Sequence, residues 1–209
     1  MYKFLRIILL GFIKTFFPFR VINGENAKID GAVLIISNHL SNVDSFMVGA
    51  CFKEKIFFLC KKEWFEKRFF AKLLGKLGAI PIDRENVDLN AFKESLKTLK
   101  NGDKLAVFPE GTRNKTGAEL LPVKAGAALI AVKAKVDILP VFIKRKSKFL
   151  KKNEIYVGKR ISLSDYYGKK IDKQTEEELK TLTANAILIA KQDYLEYLEQ
   201  KKRNGNNNR

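Results

Sequence analysis

Apolar residues in this chain follow two patterns: short unbroken runs and longer stretches with helical spacing. The runs are AVLIIS at 32–37, KIFFLC at 55–60, GAIPI at 78–82, KLAVF at 104–108 and VDILPVFI at 136–143. Each is short and rich in β-branched or aromatic residues, which suits buried strands. Weaker strand signals lie at 155–157 and at Ile161. Between the runs, Leu89, Phe92, Leu96 and Leu99 recur at spacings of three and four, the stripe of an amphipathic helix. The Ala-rich stretch 125–134 suits a buried helix. A long amphipathic helix is expected over 176–199, with Leu179, Leu182, Ala186, Ile189, Ala190 and Leu198 along one side. Strands alternating with helices predict an α/β fold, a single domain with a central mostly parallel or mixed sheet flanked by helices.

The ends break this pattern. Residues 1–19 read MYKFLRIILLGFIKTFFPF, and ten of the fourteen residues at 4–17 are large and apolar. Arg6 and Lys14 interrupt the run and Pro18 stops it. A membrane-spanning helix needs about 20 mainly apolar residues, and no small-residue cleavage site follows, as a secretory signal would require. The expectation is a helix over 1–19 lying in the membrane interface, apolar side chains inserted and cations at the headgroups. The plainer alternative is a helix packed on the protein's own core. Residues 20–200, without repeats or Gly/Ser linkers, are expected to form one domain, and 201–209 (KKRNGNNNR) read as a disordered basic tail.

Composition narrows the function classes. With 209 residues and 46% of them hydrophobic, the chain has material for a full core, which excludes a disordered protein. Forty Lys and Arg against 23 Asp and Glu give a net charge of +17, so the partners are anionic: phosphate groups, an acidic membrane or nucleic acid. Cys51 and Cys60 are too few for a disulfide framework and suit a reducing compartment. With His39 the only histidine, a zinc site of His and Cys is not expected, and any imidazole chemistry must use it.

His39 lies in NHLSNVD (38–44), directly after the 32–37 strand, and the C-terminal ends of buried α/β strands open into the usual ligand crevice. Asp44 follows five residues later. In one continuous helix the two would diverge by about 140° at about 3.6 residues per turn. They meet only if His39 stays on the loop and Asp44 begins the next helix, which Ser41 or Asn42 would cap. A carboxylate on one imidazole nitrogen fixes the tautomer and leaves the other to accept a proton, the arrangement of a general base. A buried histidine bonded to a carbonyl, with Asp44 as a helix cap, is the structural alternative.

FPEGTR (108–113) also follows a strand; Gly111 permits a tight turn, and Glu110 and Arg113 project from one loop. Arginine can hold a phosphate through two parallel bonds, although a Glu–Arg surface pair would look the same in sequence. GAIPIDR ends in Asp83 and Arg84, and Lys61 and Lys62 follow the 55–60 run, adding cations for the same anion or for the solvated surface. Together the strand ends describe a base beside a phosphate-binding pocket. KRKSKFLKK (144–152) adds six cations around Phe149 and Leu150, suited to an anionic bilayer.

These segments resemble the glycerolipid acyltransferase family, most closely its bacterial 1-acyl-sn-glycerol-3-phosphate acyltransferases. NHLSNVD, GAIPIDR, FPEGTR and ILPV (138–141) are similar to its four blocks, in order, over about half the chain. FLCKKEWF is similar to the segment between the first two, with Lys61 at the position of its usual lysine. The resemblance implies acyl transfer from acyl-CoA or acyl carrier protein to the sn-2 hydroxyl of lysophosphatidic acid, giving phosphatidic acid. It implies His39 as general base and Asp44 as its orienting partner. Glu110, Gly111, Thr112 and Arg113 would line the acceptor site, Lys61 and Arg84 would contact the phosphate, and Pro140 would shape the acyl-donor side. No metal or cofactor is expected. The expected partners are the two substrates and an anionic membrane surface, at the cytoplasmic face of the membrane as a monotopic or peripheral protein. Asn114 departs from the family's usual Ser. Alternatives are a relative acting on another lysophospholipid, a lyso-aminolipid or glycerol 3-phosphate, and outside enzymes a membrane adaptor or a nucleic-acid-binding protein. The sequence contains no nucleic-acid-binding motif.

Overall fold

The computed structural model describes residues 2–206. Seven strands run β1 (Phe19–Ile22), β2 (Val33–Ser37), β3 (Ile56–Lys61), β4 (Ala79–Ile82), β5 (Lys104–Val107), β6 (Ile138–Ile143) and β7 (Asn153–Val157). Six α-helices accompany them: α1 (Tyr2–Phe16), α2 (Asp44–Ala50), α3 (Arg68–Leu77), α4 (Leu89–Lys100), α5 (Gly126–Ala134) and α6 (Lys173–Asn206). The expected runs become strands with ends shifted by one or two residues. The expected α/β domain is present, and its sheet is mostly parallel.

The strand order is β1-β7-β6-β2-β5-β3-β4. The five strands from β6 to β4 are mutually parallel, and β7 joins β6 antiparallel, bringing β1 with it. The C-terminal ends of β2, β3, β4, β5 and β6 therefore lie along one edge. Each resembling block except ILPV leaves the sheet there, as does the 144–152 basic loop.

Strand periodicity explains the layers. Leu34, Ile36, Leu105 and Val107 point to one face, where α4, α5 and α6 cover them. Val33, Ile35 and Ala106 point to the other, where Met47 and Val48 of α2 and Ile13 of α1 close the core. The central strands are apolar on both sides because both faces are covered.

α1 does two jobs. Ile13 is buried in the core, while Phe4, Ile7, Ile8 and Phe12 face outward with more than half their surface exposed. Arg6 does not point to headgroups as expected: it donates to the backbone carbonyls of Phe52 and Lys53, just past α2. At the other end, Phe16 stacks on Phe149 with ring centroids 5.5 Å apart, and the Leu150 amide donates to the Phe16 carbonyl. Among the described residues, no helix is long and apolar enough to cross a membrane.

Two elements are additional to those expected, the four-residue β1, which carries no clear sequence signal, and the amphipathic α3, which buries no residue fully. The expected tail at 201–209 differs as well. α6 continues through Gln200, Lys201, Lys202 and Arg203 to Asn206, because these are good helix formers and cations suit a helix C-terminus. Residues 207–209 lie outside the described residues.

Candidate active site

His39 sits on the loop between β2 and α2, and Asp44 is the first residue of α2. The His39 Nδ1 lies 3.1 Å from the Asp44 Oδ2, with Asp44 wholly buried and His39 nearly so. An ionised carboxylate only accepts hydrogen bonds, so Nδ1 carries the proton. No protein group takes Nε2 among the described residues. The imidazole also stacks on Phe108 at 4.0 Å between centroids and 15° between planes.

Asp44 holds more than the imidazole. Its Oδ2 accepts the Leu40 amide at 2.6 Å and the Ser41 amide at 2.7 Å, and its Oδ1 accepts the Ser41 hydroxyl at 2.6 Å. Neither Ser41 nor Asn42 caps α2 as expected; the residue before the helix is Val43, without a side-chain cap. Instead the carboxylate at the helix start gathers the loop that precedes it, near the positive end of the helix dipole.

Two further side chains and one backbone amide fasten the loop. Asn38 makes a two-way clasp with β6: its amide nitrogen donates to the Ile143 carbonyl at 2.9 Å, and its oxygen accepts the Ile143 amide at 2.8 Å. Glu110 accepts the His39 amide at 2.6 Å on one oxygen and the Leu121 amide at 2.9 Å on the other. The Asn114 amide donates to the His39 carbonyl at 2.7 Å. Its side chain accepts from the Thr116 amide and hydroxyl and donates to Ala118, closing the local turn. Neither the Asn38 clasp nor this use of Asn114 is legible in the sequence, since each depends on a contact across the fold.

Glu110 is therefore not free to bind an acceptor. It is buried with both oxygens occupied, and it links the His39 loop to the segment after FPEGTR. Burial pushes its carboxyl above the ordinary range, while the Leu121 and His39 amides pull it down. Gly111 has φ +67°, a left-handed turn that suits glycine. Thr112 is exposed and Arg113 half-buried, and Arg113 has no ion-pair partner among the described residues.

The remaining expected residues divide. Lys61 pairs with Glu63 at 2.9 Å, and Lys62 pairs with Asp83 at 2.7 Å. Lys62 holds the Asp83 carboxyl below the usual carboxylate range, helped by Asn86 and the Glu85 amide. Arg84 has no ion-pair partner among the described residues and stands at the end of β4, the outer strand. At about 4.8 Å per strand, its backbone is about 14 Å from β2 along the sheet. The structure thus brings together His39, Asp44, Glu110 and Gly111, and sets Lys61 and Arg84 farther out. Pro140 is buried inside β6 against Gly158 rather than at the strand end. Cys51 is a packing residue whose thiol burial pushes up to about 12. Among the described residues, no group of three or more His, Cys, Asp or Glu could hold a metal ion.

The chain matches the Acyltransferase family over residues 18–144. A 1-acyl-sn-glycerol-3-phosphate acyltransferase from Bacillus subtilis is 33% identical over 67% of this chain and 69% of its own length. Proteins of the same name from Helicobacter pylori and Streptococcus pneumoniae are 37% and 40% identical over 54% of this chain, the match spanning 48% and 41% of their lengths. The crystal structure of the 1-acyl-sn-glycerophosphate acyltransferase PlsC from Thermotoga maritima shares the fold, with TM-score 0.68, 22% identity and coverage of 91% of this chain and 79% of that one.

Proposed function

The chain belongs to the acyltransferase family, and from that premise we propose that it transfers a fatty acyl group to the sn-2 hydroxyl of 1-acyl-sn-glycerol 3-phosphate, forming phosphatidic acid. The observation that carries the reading is the His39–Asp44 pair, fixed with Nε2 open at the edge where the other blocks end.

The acceptor hydroxyl approaches His39 Nε2. As its oxygen attacks the thioester carbon of acyl-CoA or acyl carrier protein, Nε2 takes the hydroxyl proton. Buried Asp44 stabilises the imidazolium through Nδ1. The tetrahedral intermediate collapses, the C–S bond breaks, and the imidazolium returns the proton to the departing sulfur. An ester and a free thiol result, and His39 is restored without a covalent enzyme intermediate.

The acceptor phosphate is held by cations at the same edge. Arg113 is the nearest in sequence to the His39 clasp, and Arg84 and Lys61 approach from the β3–β4 side. For Lys61 this means exchanging its solvent-screened Glu63 pair, which contributes little at the surface. The protein works at an anionic membrane: the outward apolar residues of α1 enter the lipid, and Phe149 and Leu150, amid their lysines, adjoin the helix at Phe16.

The test is phosphatidic acid formation from oleoyl-CoA and lysophosphatidic acid by detergent-purified protein, with His39→Ala alongside. Product from wild type and nearly none from the variant is expected. Equal product from both would remove His39 from the mechanism. Wild-type activity only on another lysolipid or glycerol 3-phosphate would replace the acceptor.

A further inference from the structure

The segment after FPEGTR folds back onto it. Leu121 is fastened to Glu110, and three residues later the Lys124 amide donates to the Pro109 carbonyl at 2.9 Å. These two tethers lay the Lys124 side chain across Gly111. A Cβ placed on Gly111 would stand 3.1 Å from Lys124 Cε and 3.4 Å from its Nζ. Gly111 has two reasons to lack a side chain: its positive φ and the lysine that occupies that space.

The ammonium is placed for an anion. Lys124 is exposed and has no ion-pair partner among the described residues, whereas Lys61 and Lys62 each have a carboxylate. The FPEGTR turn wraps the His39 peptide: Glu110 binds the His39 amide and Asn114 the His39 carbonyl. Gly111, Thr112 and Arg113 span the gap between those two contacts. Lys124 is therefore tied to β5, the strand beside that of His39, while Lys61 and Arg84 belong to β3 and β4 beyond it.

The substrate's geometry asks for a cation in this position. In a 1-acylglycerol 3-phosphate, only C2, C3 and a bridging oxygen separate the reacting hydroxyl oxygen from phosphorus. With that hydroxyl at His39 Nε2, the phosphate must lie close to the base. A phosphate monoester carries about −1.5 to −2 charge at neutral pH, more than one arginine balances.

We propose that Lys124 is an acceptor-binding residue, its ammonium pairing with the terminal phosphate monoester beside Arg113 and selecting acceptors that carry that group. This rests on the reading of the acceptor given above. Lysine acts here as a point charge on a stem held by Gly111, so arginine should preserve much of the effect.

The experiment compares wild type, Lys124→Ala, Lys124→Arg and Lys61→Ala. Initial rates are measured with lysophosphatidic acid at saturating oleoyl-CoA, and melting temperatures with and without glycerol 3-phosphate. Loss of a charge-assisted contact in Lys124→Ala should raise KM for lysophosphatidic acid about 10-fold or more, with kcat within about threefold. Lys124→Arg should recover most of that affinity, and Lys61→Ala should shift KM less than Lys124→Ala. Glycerol 3-phosphate should raise the melting temperature of wild type but not of Lys124→Ala. Because the Pro109 contact uses the Lys124 backbone, the variant should melt like wild type without ligand. A KM within twofold of wild type in Lys124→Ala, or an equal glycerol 3-phosphate shift in both, overturns the proposal. If wild type does not use lysophosphatidic acid but its glycerol 3-phosphate shift disappears in Lys124→Ala, the acceptor reading fails and the phosphate site stands. Neither turnover nor a shift in wild type overturns both.

Discussion

Replacing Asp44 by Asn separates the carboxylate's charge from its shape. Three donors converge on Oδ2: His39 Nδ1, the Leu40 amide and the Ser41 amide. Only the Ser41 hydroxyl meets Oδ1. An asparagine must therefore keep its oxygen toward the three N–H groups, since its amide nitrogen would face three donors. The nitrogen then faces Ser41 Oγ, which can rotate to accept. The imidazole tautomer is preserved and the negative charge is lost. Two unit charges 3.1 Å apart attract by about 5 kcal/mol at an effective dielectric constant of about 20. With about half the imidazolium charge developed in the transition state, the loss is about 2–3 kcal/mol, or about 30- to 150-fold in kcat. Asp44→Asn should melt within a few degrees of wild type, because removing a buried charge offsets weaker hydrogen bonds. The assay is phosphatidic acid formed from saturating substrates, with melting temperature measured alongside. A kcat within threefold of wild type would refute the electrostatic role. A loss as deep as that of His39→Ala in a folded protein would refute the argument that the tautomer survives.

Gly111→Ala forces a left-handed backbone on alanine, at a cost of about 1–2 kcal/mol, and pushes Lys124 aside; melting temperature should fall while KM for lysophosphatidic acid rises, and an unchanged KM would mean the lysine does not act there. Lys144, and then Tyr194, hold the Glu154 carboxyl below its ordinary range, so its contribution is complete above about pH 4.3 and is lost as pH falls through the lower folded value. Glu154→Gln should therefore lower melting temperature at pH 7, by about 2–4 °C per kcal/mol lost, with the difference from wild type shrinking near pH 3; an equal difference at both pH values would sink the linkage. The exposed pair Ile7→Ser/Ile8→Ser should weaken binding to anionic vesicles at least about 10-fold and spare turnover of a monomeric short-chain acceptor; unchanged vesicle binding would remove α1 from the membrane contact.

The legible parts of this protein are local ones. The central strands announce themselves because burial on both faces leaves almost no polar position, as in the fully buried VLIIS of β2. The separation of His39 from Asp44 by a loop and a helix start is legible because five residues along a helix cannot bring them together. β1 is a different case: FRVI is short, and only its pairing with β7, more than 130 residues away, makes it a strand. α3 carries an apolar stripe at helical spacing, Phe69, Phe70, Leu73, Leu74 and Leu77, but unlike that of α4 it buries no residue fully, so a helix is legible there while its place against the core is not. Glu110 shows the same limit at the site. Its place after a strand is visible, but FPEGTR reads equally as a ligand-binding acid or a surface pair. Only the fold places the His39 and Leu121 amides on its two oxygens.

Those contacts indicate what the fold must preserve. His39 is fixed through its peptide as much as through its ring: Glu110 takes the amide, Asn114 supplies a donor to the carbonyl, and Asn38 ties the preceding residue to Ile143. The contacts come from the ends of β5 and β6, the two strands that flank β2. Adjacency of three parallel strands therefore converts scattered sequence blocks into one base held from both sides, and loop length between the blocks is free to vary. The Ser-to-Asn departure at 114 fits this view. The contact to His39 uses the backbone of that residue, which any side chain allows, while the asparagine side chain closes the turn through Thr116 and Ala118. Lys61 and Arg84, on β3 and β4 beyond β5, take no part in that clasp. Lys124 is tied to it through the Pro109 carbonyl, and the clasp around His39 cannot be redistributed without moving the base.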